Sequence, residues 1–335
     1  MVIRVILAGA AVVAVAGWPR SRLASIAVLG AGALSGGIVL AFIAAAPMLL
    51  FLTAALALAW LVGRTGVTDR AVSLIAGWGR GSTRLLYAHV CAVSALLTAM
   101  VSLDGAVVLI VPFLLALARR CGLRLAPFLF GVVAVANAAS VAVPEGNPTN
   151  LVVMNRLGLG PDAYLLHLFV PGACAAVLCA LVPIRHLGSR CYEVDATDER
   201  RQEKPRFFVP WRIGAQIVGL LAALHGLVPS LALGGDALFA LLSVAVGVAG
   251  LSAVANNLPV SAAVATAVTA GPGAYAALIG LTVGALATPH GSVATMIARD
   301  LVGEDGDLPP RILAPAAGLA VLGATFVLWT ILSPS

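Results

Sequence analysis

Few side chains in this 335-residue chain are able to do chemistry, and most of those gather at four places. Two of the four are copies of one pattern. VPEGNPTN at 143–150 and ATPHGSVAT at 287–295 each set Pro-X-Gly among hydroxyl and amide residues inside a long apolar stretch. Pro144 and Pro289 lack an N–H donor, and Gly146 and Gly291 accept backbone angles that other residues resist, so a helix breaks at both. The copies align residue by residue, with Glu145 facing His290, Asn147 facing Ser292 and Asn150 facing Thr295. The other two places are polar interruptions, Ser102-Leu103-Asp104-Gly105 and Ala255-Asn256-Asn257-Leu258-Pro259. The side chains of Ser102, Asn147, Thr149, Asn150, Asn256, Asn257, Ser292 and Thr295 offer oxygen and amide ligands, and N–H groups freed at broken helices carry partial positive charge. That set suits holding a small polar solute. Bond-making chemistry would need clustered catalytic residues near one interface, such as a His/Asp/Glu metal set, and the sequence presents none, so an enzyme is disfavoured.

Ionisable groups are the rarest and the most telling. Asp104 and Glu145 fall deep within apolar segments, where a charge costs several kcal/mol unless it is paired or solvated by a cavity. Asp104 is the leading proton or cation carrier. Glu145 and His290 occupy equivalent positions in the two copies, and a pair between them would tie protonation to conformation. The remaining histidines, His89, His167, His186 and His225, are assigned no role. Cys91, Cys121, Cys174, Cys179 and Cys191 show no CxxC spacing and are read as free thiols, with no metal site and no cofactor.

The elements that must position these groups are membrane helices. With 61% hydrophobic and 10% charged residues and a mean hydropathy of +1.05, the chain is an all-α polytopic membrane protein. Its formal charge of +6 is spread singly between apolar segments without aromatic interleaving, which excludes a nucleic-acid partner and marks topology instead. Spans are expected near 3–17, 23–45, 47–63, 126–155, 163–184, 210–228, 273–303 and 311–333. The first is read as a retained span although Ala14-Val15-Ala16 has the small-residue pattern of a signal-peptidase site. Trp18, Trp60, Trp211 and Trp329 stand near span ends as headgroup anchors.

The stretches 85–118 and 236–270 are long for one helix and carry the polar interruptions, so both are read as re-entrant helical hairpins whose tips face protein or water. With that topology only Arg4 and Arg156 of the 20 basic residues fall outside, in accord with the positive-inside rule, and both termini are external. The organisation expected is N-terminal accessory spans (1–46), a first repeat (47–187, hairpin 85–118, broken helix 126–155), a cytoplasmic linker (188–207) and a second, inverted repeat (208–333, hairpin 236–270, broken helix 273–303). Two breaks and two hairpin tips then meet near the bilayer centre, the arrangement that alternating access requires.

ANAASVAVPEGNPTNLVV (136–153), SLDGAVVLIVP (102–112), SAVANNLPVS (252–261) and TPHGSVAT (288–295) resemble the signature regions of the ArsB-type arsenite permeases of the ion transporter superfamily. The resemblance covers roughly 47–333 and implies an inverted-repeat fold with two re-entrant hairpins and two discontinuous helices. It also implies an inner-membrane carrier that exports arsenite or antimonite in exchange for protons. The partners it implies are a small inorganic solute with a coupling proton or sodium ion, the lipid bilayer, and in some members a separate ATPase subunit; a homodimer is compatible. Three features depart from the family pattern: a compact second half, Glu145 and His290 where aliphatic residues are usual, and Leu103 where an Asn usually precedes the hairpin Asp. The alternative is a sodium/proton antiporter or a sodium-coupled organic-anion carrier of the same superfamily, although the paired Ser-Asn-Thr tripeptides of dicarboxylate carriers are absent.

Overall fold

Apolar segments that must pair their backbone N–H and C=O groups within their own chain fold as helices. The computed structural model describes residues 2–18, 21–187, 192, 209–224, 235–303 and 310–333, and these carry fourteen α-helices and no β-strand. They are α1 (Val2–Gly17), α2 (Arg22–Leu34), α3 (Ile38–Val62), α4 (Val67–Trp78), α5 (Thr83–Arg120), α6 (Leu125–Ala139), α7 (Pro148–Leu157), α8 (Pro161–Leu181), α9 (Trp211–Leu224), α10 (Leu238–Ala255), α11 (Asn257–Ala267), α12 (Pro272–Gly284), α13 (Val293–Val302) and α14 (Pro310–Leu332). Segments built on α3, α5, α8, α10 and α14 are long and apolar enough to cross a bilayer. Their outward faces carry Phe42, Leu50, Phe169 and Phe239, an apolar surface that belongs against lipid tails. The 188–207 linker, Tyr192 apart, lies outside the described residues, as do Cys191 and His225.

Two boundaries differ from the sequence expectation. The chain breaks at Ser35–Gly37 rather than before Pro47, because Gly36 takes a left-handed φ of 81° and the Ser35 hydroxyl donates to the Ala222 carbonyl at 2.8 Å. Pro47 lies inside α3, so a division at 46/47 would cut a continuous helix. The second difference is α4, a short helix where a loop was expected. It buries Val72, Ile75 and Ala76 and exposes Leu74 and Trp78 beside Arg70, the pattern of a helix lying at an interface.

α5 reverses direction. Val101 (φ −130°, ψ 16°) and Ser102 (φ 70°, ψ 167°) are non-helical, and they divide it into two arms. A straight helix of its 38 residues would be about 57 Å long. Instead, Arg120 at its end donates from Nη1 to Ser73 Oγ of α4 at 2.7 Å, although α4 also leads directly into its start. Tyr192 closes the same end, with its N–H on the Gly81 carbonyl (3.0 Å) and its hydroxyl on the Ala76 carbonyl. α10 and α11 repeat the reversal at Asn256, whose φ of 70° and ψ of 141° nearly match those of Ser102.

The breaks repeat as well. Val143 (φ −132°, ψ 146°) matches Thr288 (−132°, 155°), and Asn147 (−149°, 134°) matches Ser292 (−129°, 151°), at a constant offset of 145. α7 and α13 begin and end at that same offset. Small residues let neighbouring segments approach closely. A Cβ on Gly172 of α8 would stand 2.6 Å from the Ala142 nitrogen in the first break, and one on Gly219 of α9 would stand 2.5 Å from the Val28 carbonyl of α2. Gln216 of α9 adds a hydrogen bond to Ser25 Oγ of α2 at 3.0 Å.

The reversal of α5 is open to direct test. In a background without the native cysteines, Ser73→Cys paired with Arg120→Cys is expected to cross-link with a short bifunctional thiol reagent, read as a shift in gel mobility. A straight α5 leaves the pair beyond the reagent's reach and gives no product.

Candidate functional site

Four helix beginnings border one small cavity. Its walls are Leu103 and Asp104 at the start of the second arm of α5, Asn147, Pro148 and Thr149 at the start of α7, Asn257 and Leu258 at the start of α11, and Val293 at the start of α13, with Met48 of α3 completing them. The free volume is about 10 Å³, on the order of one water molecule. N–H groups unpaired in first turns give each helix beginning partial positive charge, so the cavity favours oxygen atoms rich in electron density. The Asp104 carboxylate brings the one full negative charge among its described walls, on a residue only 3% exposed.

Each helix starts here for a local reason. At the second hairpin tip, Asn256 adopts its positive φ and its Oδ1 accepts the Leu258 N–H at 3.2 Å, capping α11. Its Nδ2 donates to the His290 carbonyl at 2.8 Å, and the Asn257 N–H donates to the Gly291 carbonyl at 2.8 Å. The Thr288 hydroxyl donates to the Ala253 carbonyl at 2.5 Å. The tip is thereby clasped to the second break. At the first break, Asn147 Oδ1 accepts the Thr149 N–H at 3.1 Å and caps α7. Asn150 staples the open turn: its Nδ2 donates to the Ser140 carbonyl (2.7 Å) and the Val143 carbonyl (3.2 Å), and its Oδ1 accepts from the Thr282 hydroxyl of α12 at 3.3 Å. Gly146 is required because a Cβ there would meet the Ser140 carbonyl at 2.5 Å. Gly291 faces the equivalent Ala285 carbonyl in the same way.

The residues expected from sequence divide into two groups. Asp104, Asn147, Thr149 and Asn257 come together at the cavity, with Ser102 next in the chain. Asn147 Nδ2, Thr149 Oγ1 and Ser102 Oγ are buried and have no hydrogen-bond partner within the protein. A buried polar atom left in that condition costs about 1–3 kcal/mol and calls for an explanation. Asn150, Asn256, Ser292 and Thr295 are instead occupied in holding the breaks. Ser292 Oγ accepts the Thr295 N–H at 3.1 Å and lies 2.7 Å from Thr295 Oγ1.

Glu145 and His290 are not brought together. Glu145 is exposed, His290 is buried, and no ion pair joins them. Met48, Leu103, Leu258 and Val293 complete the walls and were not singled out from sequence, where apolar residues are too common to carry a signal. Cys91, Cys121, Cys174 and Cys179 are free thiols, and none lines the cavity.

A family model described as citrate transporter (CitMHS) matches residues 5–298. The arsenical pump membrane protein of Escherichia coli is 29% identical over 125 residues, covering 36% of this chain and 29% of that protein. The silicon efflux transporter LSI3 of Oryza sativa subsp. japonica is 34% identical over 97 residues, 29% of this chain and 20% of its own length. An uncharacterized transporter of Mycobacterium tuberculosis, Rv2684, is 30% identical over 168 residues, 48% of this chain and 38% of its own. The matched stretches therefore span less than two fifths of each of these relatives.

The division between stapling and cavity residues has a measurable consequence. Asn150→Ala removes a donor from two carbonyls and is expected to cost about 2–3 kcal/mol, seen as a lower unfolding midpoint of the purified protein in detergent. Thr149→Val deletes a hydroxyl that has no partner, and its midpoint is expected to stay level or rise. Equal losses in the two variants would contradict the division.

Proposed function

The chain belongs to the CitMHS citrate-transporter family, and from that premise we propose that it is a secondary active transporter exporting arsenite or antimonite in exchange for protons. The observation that carries the reading is the placement of the Asp104 carboxylate beside the unpartnered Asn147 Nδ2 and Thr149 Oγ1, in a cavity built from helix beginnings. Near neutral pH trivalent arsenic is chiefly a small neutral hydroxide. Amide and hydroxyl groups hold such a solute by hydrogen bonds that exchange readily, and weak ligation without thiols suits a carrier. Two relatives are named for arsenicals and for silicon, elements whose simple aqueous forms are small hydroxides.

In this mechanism Asp104 alternates between proton and solute. Protonation removes the one full charge from the cavity walls. Its loss restores a carboxylate that accepts hydrogen bonds from the hydroxyls of the incoming solute. Asn147, Thr149 and Asn257 orient the solute, with Ser102 at the edge. Asn150, Asn256, Ser292 and Thr295 keep the breaks and the tip rigid around it. The reading places the protein in the inner membrane as a multi-pass carrier with re-entrant hairpins, repeats inverted about an axis in the membrane plane, and external termini. Alternating access then follows from movement of one repeat's elements against the other's.

A second reading is a sodium-coupled organic-anion carrier. It is favoured by the family's description and by the partial positive charge of four converging helix starts. Efflux measured in vesicles with proton and sodium gradients imposed separately distinguishes the two.

Expression in a metalloid-sensitive host is expected to confer resistance with measurable arsenite efflux. Asp104→Asn is expected to abolish gradient-driven efflux while the protein still inserts in the membrane. Efflux at the wild-type rate by that variant would sink the coupling role, and absence of any protection by the intact chain would shift the assignment to the organic-anion reading.

A further inference from the structure

The cavity has a counterpart about ten ångströms away. A groove of about 400 Å³ opens between the ends of α7 and α11, lined by Val152, Asn155 and Arg156 on one side and Ala262, Ala265 and Thr266 on the other. These are the same two helices whose beginnings wall the cavity. On α7, Thr149, Val152 and Arg156 follow the i, i+3, i+7 spacing of a single face; on α11, Leu258, Ala262 and Ala265 do so at i, i+4, i+7. One seam between two helices of different repeats therefore has the cavity at its inner end and the groove at its outer end, and on the α11 side the groove is walled by Ala262 and Ala265. At the inner end stands Thr149, 1% exposed, with its Oγ1 unpartnered. At the outer end stands Arg156, exposed and in no ion pair among the described residues.

We propose that the α7–α11 seam is the solute's path between the cavity and one face of the membrane, and that Arg156, with Asn155, forms a loading or release station for a small solute bearing acceptor oxygens. The proposal rests on the transport reading above, but not on its choice of solute. A guanidinium has five N–H donors and no acceptor, so the ligand at this station must supply the acceptors, as an oxyanion or carboxylate does. A cation lining a groove concentrates such solutes by its field. The distance between the stations follows from helix geometry: seven residues separate Thr149 from Arg156, a rise of about 10 Å. Side chains as small as those of Ala262 and Ala265 leave room for the seam to part without large backbone movement.

The test uses thiol chemistry in the full-length protein lacking its native cysteines, reconstituted in sealed vesicles. Thr149→Cys is treated from each side with two small membrane-impermeant reagents, one carrying a sulfonate and the other a trimethylammonium group. Asp162→Cys, exposed at the start of α8, marks the side on which the groove opens. Thr149→Cys is expected to react from that side, faster with the sulfonate. Adding Ala262→Trp is expected to abolish the reaction at position 149 while leaving that at 162 unchanged; Ala265→Phe provides a second plug should the first misfold on size-exclusion chromatography. Arg156→Glu is expected to reverse the reagent preference, changing the ratio of the two rates by roughly 10-fold or more.

No reaction from the marked side, or an unchanged rate behind both plugs, overturns the path. An unchanged reagent ratio in Arg156→Glu overturns the station and leaves Arg156 serving only the end of α7. Since the readout is thiol modification, missing arsenite efflux would count against the proposed solute alone.

Discussion

A backbone N–H or C=O group in apolar surroundings has to find its partner within the protein. Everything distinctive in this molecule follows from how that demand is met where helices stop. Along α10, which has no proline, the helix meets it internally, and nothing else is required of the sequence beyond apolar length. At two hairpin tips and two breaks the helix ends inside the fold, and side chains must take over. Asn256 does this for its tip and Asn150 for its break, each with one amide that both donates and accepts. An amide carries its donors and its acceptor on separate atoms, so one side chain reaches two partners at once, which suits Asn to these points.

The same demand makes the two breaks unlike each other despite their matching backbones. In the second, Ser292 and Thr295 satisfy each other, and the hairpin tip is tied down by three hydrogen bonds from Asn256, Asn257 and Thr288. In the first, Asn147 caps α7 with its oxygen while its nitrogen stays unpartnered, and Thr149 Oγ1 beside it is also unpartnered. Ser102, the counterpart of Asn256 at the first tip, makes no clasp of its own. One side of the cavity is therefore closed structure, and the other, which Asp104 also lines, keeps polar atoms without a partner.

Much of this was legible in the sequence, and the parts that were not share a cause. The breaks were visible because Pro-X-Gly states its effect on the backbone locally, and the non-helical points at Ser102 and Asn256 because polar residues interrupt long apolar runs. α4 was missed because it is too short for a span and carries Asp69 and Arg70 in its first turn, and the span boundary expected between 45 and 47 fell inside α3 because a proline inside a membrane helix is tolerated when neighbouring helices re-satisfy the freed carbonyl. Glu145 and His290 were aligned correctly as equivalent residues, yet equivalence within a repeat does not bring two positions together. Each faces the surroundings of its own copy, one exposed and one buried.

By itself the sequence determined the class of the protein, the places where its helices stop and the short list of side chains able to take over there. These depend on composition and on chemistry between near neighbours. Only the tertiary structure decided which of those side chains are consumed in closing the chain and which are left without a partner. Asn150 meets Thr282 and Asn256 meets His290 across 132 and 34 residues, and Asp104 shares a cavity with Asn147 and Asn257 through helices from both repeats. A hydrogen bond is set by distance and angle in space, and residue spacing along a chain carries that information only within one helix.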